Sequence, residues 1–353
     1  MIVKNSNKND MRKIDYSIDK SNLRRIIINS PNQLSWAISN WKLMIFKRKF
    51  SNVILCGMGG SAWPMEFVIN YLTTNSSMRL SKIPIIIHRN YGLPDEAGKD
   101  SLMIFSSYSG NTEETIEAYR AAIKAGIKGV IITSGGKLES LAIQNRTPVL
   151  KIPEKNIPPR YSTGYMVVFL LKLLADAKII KNASREISRT SEYLKNILAN
   201  GKMEHQGHEL AKKIGNKIVL IYSSVNYRIA AKVWKIKINE NSKMPAFWNY
   251  MPEFNHNEMV GFTHANPKHF FVLILKDTED NKDILKVLDI SKMLLSRRGF
   301  FPEVINMTGD NFFSKVFSAT LLCDWVSYYL ALRNGIDPSP VPIVDEFKKD
   351  LKK

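Results

Sequence analysis

From residue 51 onward, short apolar runs alternate with amphipathic stretches of helical length, and this rhythm restricts the chain more than any other feature. The runs Asn52-Val53-Ile54-Leu55-Cys56, "IPIIIH" (83–88), "LMIFSS" (102–107), "GVIITS" (129–134) and "TPVLKI" (147–152) are rich in Val, Ile and Leu, as strands covered on both faces are. The intervening segments have room for crossover helices, which predicts a parallel sheet with helices on both faces. A helical stretch covers about 160–177, and a polar segment with helical spacing follows at 176–201. The alternation then restarts with "KIVLIYSS" (217–224), a helix over 226–241, "HFFVLILKD" (269–277), a helix near 283–297, "PEVINM" (302–307) and a helix over 312–332. Two tandem α/β units result, each a parallel sheet flanked by helices in an αβα sandwich. Their expected bounds are 51–180 and 204–335, with a helical segment at 1–50, a helical linker at 181–203, and a C-terminal arm and helix at 336–353 that packs back on the body.

A chain of 353 residues is long enough for two such cores. No apolar stretch of 18 residues lacks charges, and the first residues lack the apolar segment of a signal peptide, which predicts a cytoplasmic protein that does not enter membranes. Cys56 and Cys323 are too few for a disulfide framework or a thiolate zinc site, so no metal is expected. The net charge of +19 favours anionic partners, a class that includes a phosphorylated metabolite. Its Lys and Arg are dispersed rather than gathered beside a helix-turn-helix or zinc-finger spacing, which argues against nucleic acid. His205-x-x-His208, flanked by Glu204 and Glu209, has no evident third ligand and reads as helix surface.

Gly57-x-Gly59-x-x-Ala62 follows the first strand and meets the relaxed dinucleotide fingerprint. The second strand, however, ends in His88-Arg89-Asn90, without the acidic residue such a site uses on the ribose. The third strand is more telling. Ser107, Ser109, Gly110, Asn111 and Thr112 stand between its end and the next helix, where hydroxyls and unpaired N–H groups can surround an anion. A capping box through Thr112 or Asn111 with Glu114 or Thr115 is the competing explanation, but it leaves Ser107, Ser109 and Gly110 unused.

Gly59-Gly60-Ser61 and Ser107-Tyr108-Ser109-Gly110-Asn111-Thr112 resemble the two loops with which a sugar isomerase domain clasps a phosphosugar. With "PPRYSTGY" (158–165), "KINENSKMPAFWNYMPEFNHNEMVGF" (237–262) and "DPSPVPIVDEFKKDL" (337–351), the chain resembles the bifunctional phosphoglucose/phosphomannose isomerases over nearly everything from residue 51. The resemblance implies interconversion of glucose 6-phosphate and mannose 6-phosphate with fructose 6-phosphate through a cis-enediolate, without a cofactor. It implies that Gly60, Ser61, Ser107, Ser109 and Thr112 hold the phosphate. The second unit has "IYSSVN" (221–226) where a glycine-containing turn is expected, so only the first unit is expected to bind phosphate.

Aldose–ketose isomerisation needs a base, a cation for the enediolate oxygen, and a group that opens the sugar ring. Glu240 lies in the polar triplet 239–241 of an otherwise largely apolar helix, and by resemblance it is the base; Glu253 and Glu258 are the competing carboxylates. Arg160 follows two prolines at a helix start, where a cation is electrostatically out of place, which points to another use. The resemblance gives it the enediolate. His256, between Asn255 and Asn257 that could orient its ring, matches the ring-opening histidine, donated across a homodimer interface, and Lys348, or its neighbour Lys349, matches an assisting lysine. Two other readings remain open: an aminating relative that makes glucosamine 6-phosphate, and a non-catalytic phosphosugar sensor.

Overall fold

The computed structural model describes residues 14–153 and 156–351, so residues 1–13 of the expected N-terminal segment lie outside it. Helices α1 (Leu23–Asn29) and α2 (Pro31–Ser39) precede five strands, β1 (Asn52–Gly57), β2 (Ile85–His88), β3 (Ser101–Ser106), β4 (Gly129–Thr133) and β5 (Val149–Lys151). Between them run α3 (Gly59–Thr74), α4 (Glu113–Lys124) and α5 (Gly136–Gln144). The strands pair in parallel in the order β2-β1-β3-β4-β5. Every residue of β1 and β3 is buried, which explains their unbroken apolar runs.

Three helices, α6 (Thr163–Asp176), α7 (Ser184–Ala199) and α8 (Lys202–Ile214), lead to a second sheet of β6 (Ile218–Ser224), β7 (Ala246–Met251), β8 (Phe270–Lys276) and β9 (Glu303–Asn306). It is parallel throughout, in the order β7-β6-β8-β9. Its helices are α9 (Arg228–Ser242), α10 (Glu253–His256), α11 (Lys282–Ser296) and α12 (Phe312–Arg333), and α13 (Pro342–Asp350) ends the fold. Two parallel sheets flanked by helices are the architecture expected from the alternation. Among the described residues, no helix is long and apolar enough to cross a membrane.

β7 was not expected. It is an edge strand, only partly buried, framed by Pro245 and Pro252 and interrupted by Asn249, so it shows neither a continuous apolar run nor a clean alternation. The arm also departs from expectation: no residue of α13 is buried, and Ile343, Phe347 and Leu351 are largely exposed, so it does not pack back on its own chain.

The two units share one core. α12 is apolar almost all round and is buried from Phe312 to Leu332, as a central helix must be. Phe67 of α3 packs against Phe312, Phe313 and Phe317 of α12 at ring-centroid distances of 5.6, 5.9 and 5.0 Å. These contacts fix α3 of the first unit against the helices of the second, so groups brought by both halves can meet in a defined geometry. In each sheet the strand order reverses beside its first strand, between β1 and β3 and between β6 and β8. The carboxyl ends there form the crevice where open α/β sheets bind ligands.

Candidate active site

At the β1/β3 crevice, small residues bring four chain segments together. Gly60, in the first turn of α3, has no side chain to separate it from the turn that carries Arg160: a Cβ there would stand 3.1 Å from Arg160 N and 3.2 Å from Pro159 C. Gly110 has φ +67°, and a Cβ on it would collide with the Gly135 carbonyl at 1.7 Å, so the loop after β3 closes onto the loop after β4 only with glycine. Ser61 is buried and its Oγ accepts from Tyr108 N at 2.9 Å, which ties the first loop to the second. Ser107 Oγ and Thr112 Oγ1 are hydrogen-bonded at 2.8 Å, and Gly110 N donates to Ser107 Oγ at 3.1 Å. Exposed Ser109 accepts from Asn111 N at 3.2 Å.

Met58 and Thr112 are the N-caps of α3 and α4, and neither makes a side-chain capping bond. The capping-box explanation for Thr112 is therefore not realised. Two helix starts point into one crevice with first-turn N–H groups that no capping side chain takes, a field and donor set that favours an anion.

Arg160 lies beside this crevice on the short turn Pro159–Tyr161 that precedes α6, and it is almost wholly buried. Nε donates to Asn241 Oδ1 at 2.6 Å, and Nη2 donates to the carbonyls of Pro338 and Ser339 at 2.8 and 3.0 Å. Nη1 donates to Glu240 Oε2 at 3.2 Å, and among the described residues its second N–H has no acceptor. Glu240 stands near the end of α9 with its side chain 35 % exposed, so its carboxylate opens on solvent beside a rigidly held guanidinium. Arg160 comes from the first unit and Glu240 from the second.

Beneath them lies a buried polar layer in which the sequence reading assigned no roles. Asn241 Nδ2 lies 2.8 Å from both Tyr161 OH and Ser327 Oγ, so this side chain is fully engaged while it receives Arg160. Lys237, one turn earlier on α9, pairs with Asp324 of α12 at 2.7 Å and sits 3.5 Å from the Tyr161 ring centroid. Burial pushes Lys237 down and Asp324 up from their usual values, and burial followed by the Asp324 charge pushes Tyr161 well up. Lys243, just past α9, is brought down to about 8 by burial and then by the Arg160 guanidinium. Asp324, the one acidic residue in the largely apolar α12, was the available signal, but no pattern links it to Lys237, one of three lysines on α9 and far away in the chain.

The other expected residues do not join the group within one chain. His256 is exposed on α10, and its neighbours are engaged elsewhere: Asn255 with Ser291, Asn257 with Glu253, and Glu258 with Tyr222 and Asn249. The orientation of His256 by Asn255 and Asn257 is therefore not realised. Glu258 is not a free rival base, and Glu253 is exposed on α10 with one oxygen accepting from Asn257. Lys348 is exposed on α13. His208 packs against Tyr329 with ring centroids 4.7 Å apart, and among the described residues no His, Cys, Asp and Glu cluster could hold a metal ion.

The model of the bacterial phospho-glucose isomerase C-terminal SIS domain matches residues 203–351. A protein of Aquifex aeolicus named bifunctional phosphoglucose/phosphomannose isomerase is 34 % identical over 91 % of this chain and 96 % of its own. The chain belongs to the bifunctional phosphoglucose/phosphomannose isomerase family. A Caldicellulosiruptor bescii member of the same name is 35 % identical over 92 % of this chain and 97 % of its own. Among solved structures, the glucosamine-6-phosphate deaminase of Thermotoga maritima aligns with a TM-score of 0.67 over 90 % of this chain and 97 % of its own, at 17 % identity. That likeness extends to the fold, two sheets of the sugar isomerase type, and at such identity to nothing more.

Proposed function

We propose that the chain interconverts fructose 6-phosphate with both glucose 6-phosphate and mannose 6-phosphate, as its family membership supports, at the junction where Arg160 meets Glu240. The pairing of a half-open carboxylate with a buried guanidinium beside a hydroxyl-lined anion crevice carries this reading. Gly60, Ser61, Ser107, Ser109 and Thr112 hold the phosphate with the first turns of α3 and α4. On this reading the first unit spans 51–180 and the second 204–335.

Glu240 removes the proton from C2 of the aldose; the C1–C2 double bond forms, and the electrons of the C1 carbonyl move onto its oxygen. The Nη1 N–H of Arg160 faces that oxyanion, and donors already fixed in place stabilise such charge without reorganising. A proton passes from the C2 hydroxyl to O1, the O2 electrons form the C2 carbonyl, and the C1–C2 double bond takes the proton back from Glu240 at C1, which gives the ketose. The cis-enediolate is planar at C2, so either aldose forms when the proton comes back to one face or the other. Ring opening falls to His256 of a second copy together with Lys348. Their exposure on one chain, with the uncovered apolar side of α13, supports a homodimer. The enzyme works in the cytoplasm, in carbohydrate metabolism.

The test is to incubate the purified protein with fructose 6-phosphate, with and without EDTA, and to identify the hexose phosphates by NMR. Both aldose phosphates, at a rate indifferent to EDTA, are expected. Binding without conversion would replace this reading with that of a sensor.

A further inference from the structure

Lys243 follows the last turn of α9 with φ 55° and ψ 30°, a left-handed conformation unusual for a side chain of this kind. That bend turns the side chain back toward the site. Nζ donates to three carbonyls: Asn241 at 3.1 Å, Asp337 at 2.9 Å and Pro338 at 3.2 Å. The first is at the end of its own helix, where a cation is favourable, and capping α9 would be explanation enough if it were the only contact. The other two belong to the loop before α13, and the Pro338 carbonyl is the one that Arg160 Nη2 also holds. Two cations from different segments thus converge on one carbonyl oxygen, at the cost of mutual repulsion.

We propose that Lys243 is a positioning residue for isomerisation: it fixes residues 337–338 against the Arg160 guanidinium and thereby sets the Nη1 N–H left for the substrate. The proposal rests on the reaction assigned above to Arg160 and Glu240. Without Lys243, the Pro338 carbonyl keeps, among the described residues, only the Arg160 contact, and the loop that supports Nη2 is tethered from one side. The loop is also the root of α13, so the same contact sets where the helix bearing Lys348 begins. The charged groups acting on Lys243 are Arg160 from the turn before α6, Glu240 from α9 and Asp337 from the loop. Arg160 opposes its charge, whereas Asp337 and Glu240 favour it. Burial and Arg160 prevail, which places the loss of its proton near pH 8. A neutral amine has two N–H groups for three carbonyls, so the tether weakens as pH rises through that value.

The experiment compares Lys243→Met and Lys243→Arg with wild type in steady-state conversion of fructose 6-phosphate between pH 6.5 and 9.5, with Glu240→Gln as the control for the site. Lys243→Met is expected to lower kcat about 10- to 100-fold with little change in KM, the scale of a misplaced catalytic group. Wild type is expected to lose kcat on the alkaline side with a midpoint near 8. Lys243→Arg stays charged and is expected to restore most of kcat and to move that limb upward. Lys243→Gln, which retains a donor, replaces the Met variant if the latter does not accumulate folded. Wild-type kcat and an unshifted alkaline limb in the Lys243 variants, with Glu240→Gln inactive, would overturn the positioning role alone. Full turnover by Glu240→Gln would overturn the underlying site and the proposal with it.

Discussion

The crevices at the strand-order reversals of the two sheets occupy the same topological place and are filled in opposite ways. At β1/β3 the loops bring Ser61, Ser107 and Thr112, and α4 follows Thr112 without a side-chain cap. At β6/β8, Ser224 Oγ and Asn226 Nδ2 donate to the two oxygens of Asp280, the latter at 2.7 Å. There α11 is capped, with Asn281 Oδ1 accepting from Asp283 N at 2.8 Å. Lys315 binds Asp277 at 2.9 Å and also Glu279, and Tyr227 OH donates to Asp277 at 2.6 Å. Burial works against the Lys315 charge, but the hydrogen bonds it donates to Glu279 and Asp277 outweigh it and raise its pKa. The second crevice has its own carboxylates where the first leaves donors for an anion. The second unit contributes to the reaction through the far end of α9, where Glu240 stands, and not through its crevice.

The contrast can be broken most severely at Glu240. Glu240→Gln should lower kcat on the order of 10²- to 10⁴-fold, the usual contribution of a general base, while fructose 6-phosphate still binds. Parallel turnover assays and calorimetry check both halves of this expectation. Next in size, Ser107→Ala combined with Thr112→Val should raise the Kd for fructose 6-phosphate about 10- to 100-fold, as loss of hydrogen bonds to a charged group does. In the filled crevice the consequence should be one of stability. Asp280→Asn is expected to lower unfolding free energy by about 1.5–3 kcal/mol in urea denaturation and to leave Kd unchanged. Ser224→Ala should cost about 1 kcal/mol by the same measurement, again without an effect on binding.

How much of this was legible in the sequence follows from the range of each interaction. β1 and β3 and the loops after them could be read because a strand buried on both faces is apolar throughout, and because glycine and hydroxyl residues after it have few other reasons to cluster. Arg160 could be singled out by its unfavourable place before a helix. The lack of glycine in 221–226 marked the second crevice as different. It could not reveal what fills that crevice, because Asp280 lies 56 residues from Ser224 and meets it only through the pairing of β6 with β8. The same limit hid the Lys237–Asp324 pair and the hold of Lys243 on residues 337–338. The edge position of β7 weakened its pattern. His256 and α13 carry signals in the sequence, but one chain gives neither of them a partner surface.

The most direct test is the number of sugar phosphates bound per chain. Isothermal titration of Glu240→Gln with fructose 6-phosphate should give one site per chain, lost or strongly weakened by Ser107→Ala with Thr112→Val and untouched by Ser224→Ala. Two equivalent sites, or a single site that Ser224→Ala removes and the first-crevice changes spare, would contradict the assignment of substrate to the β1/β3 crevice.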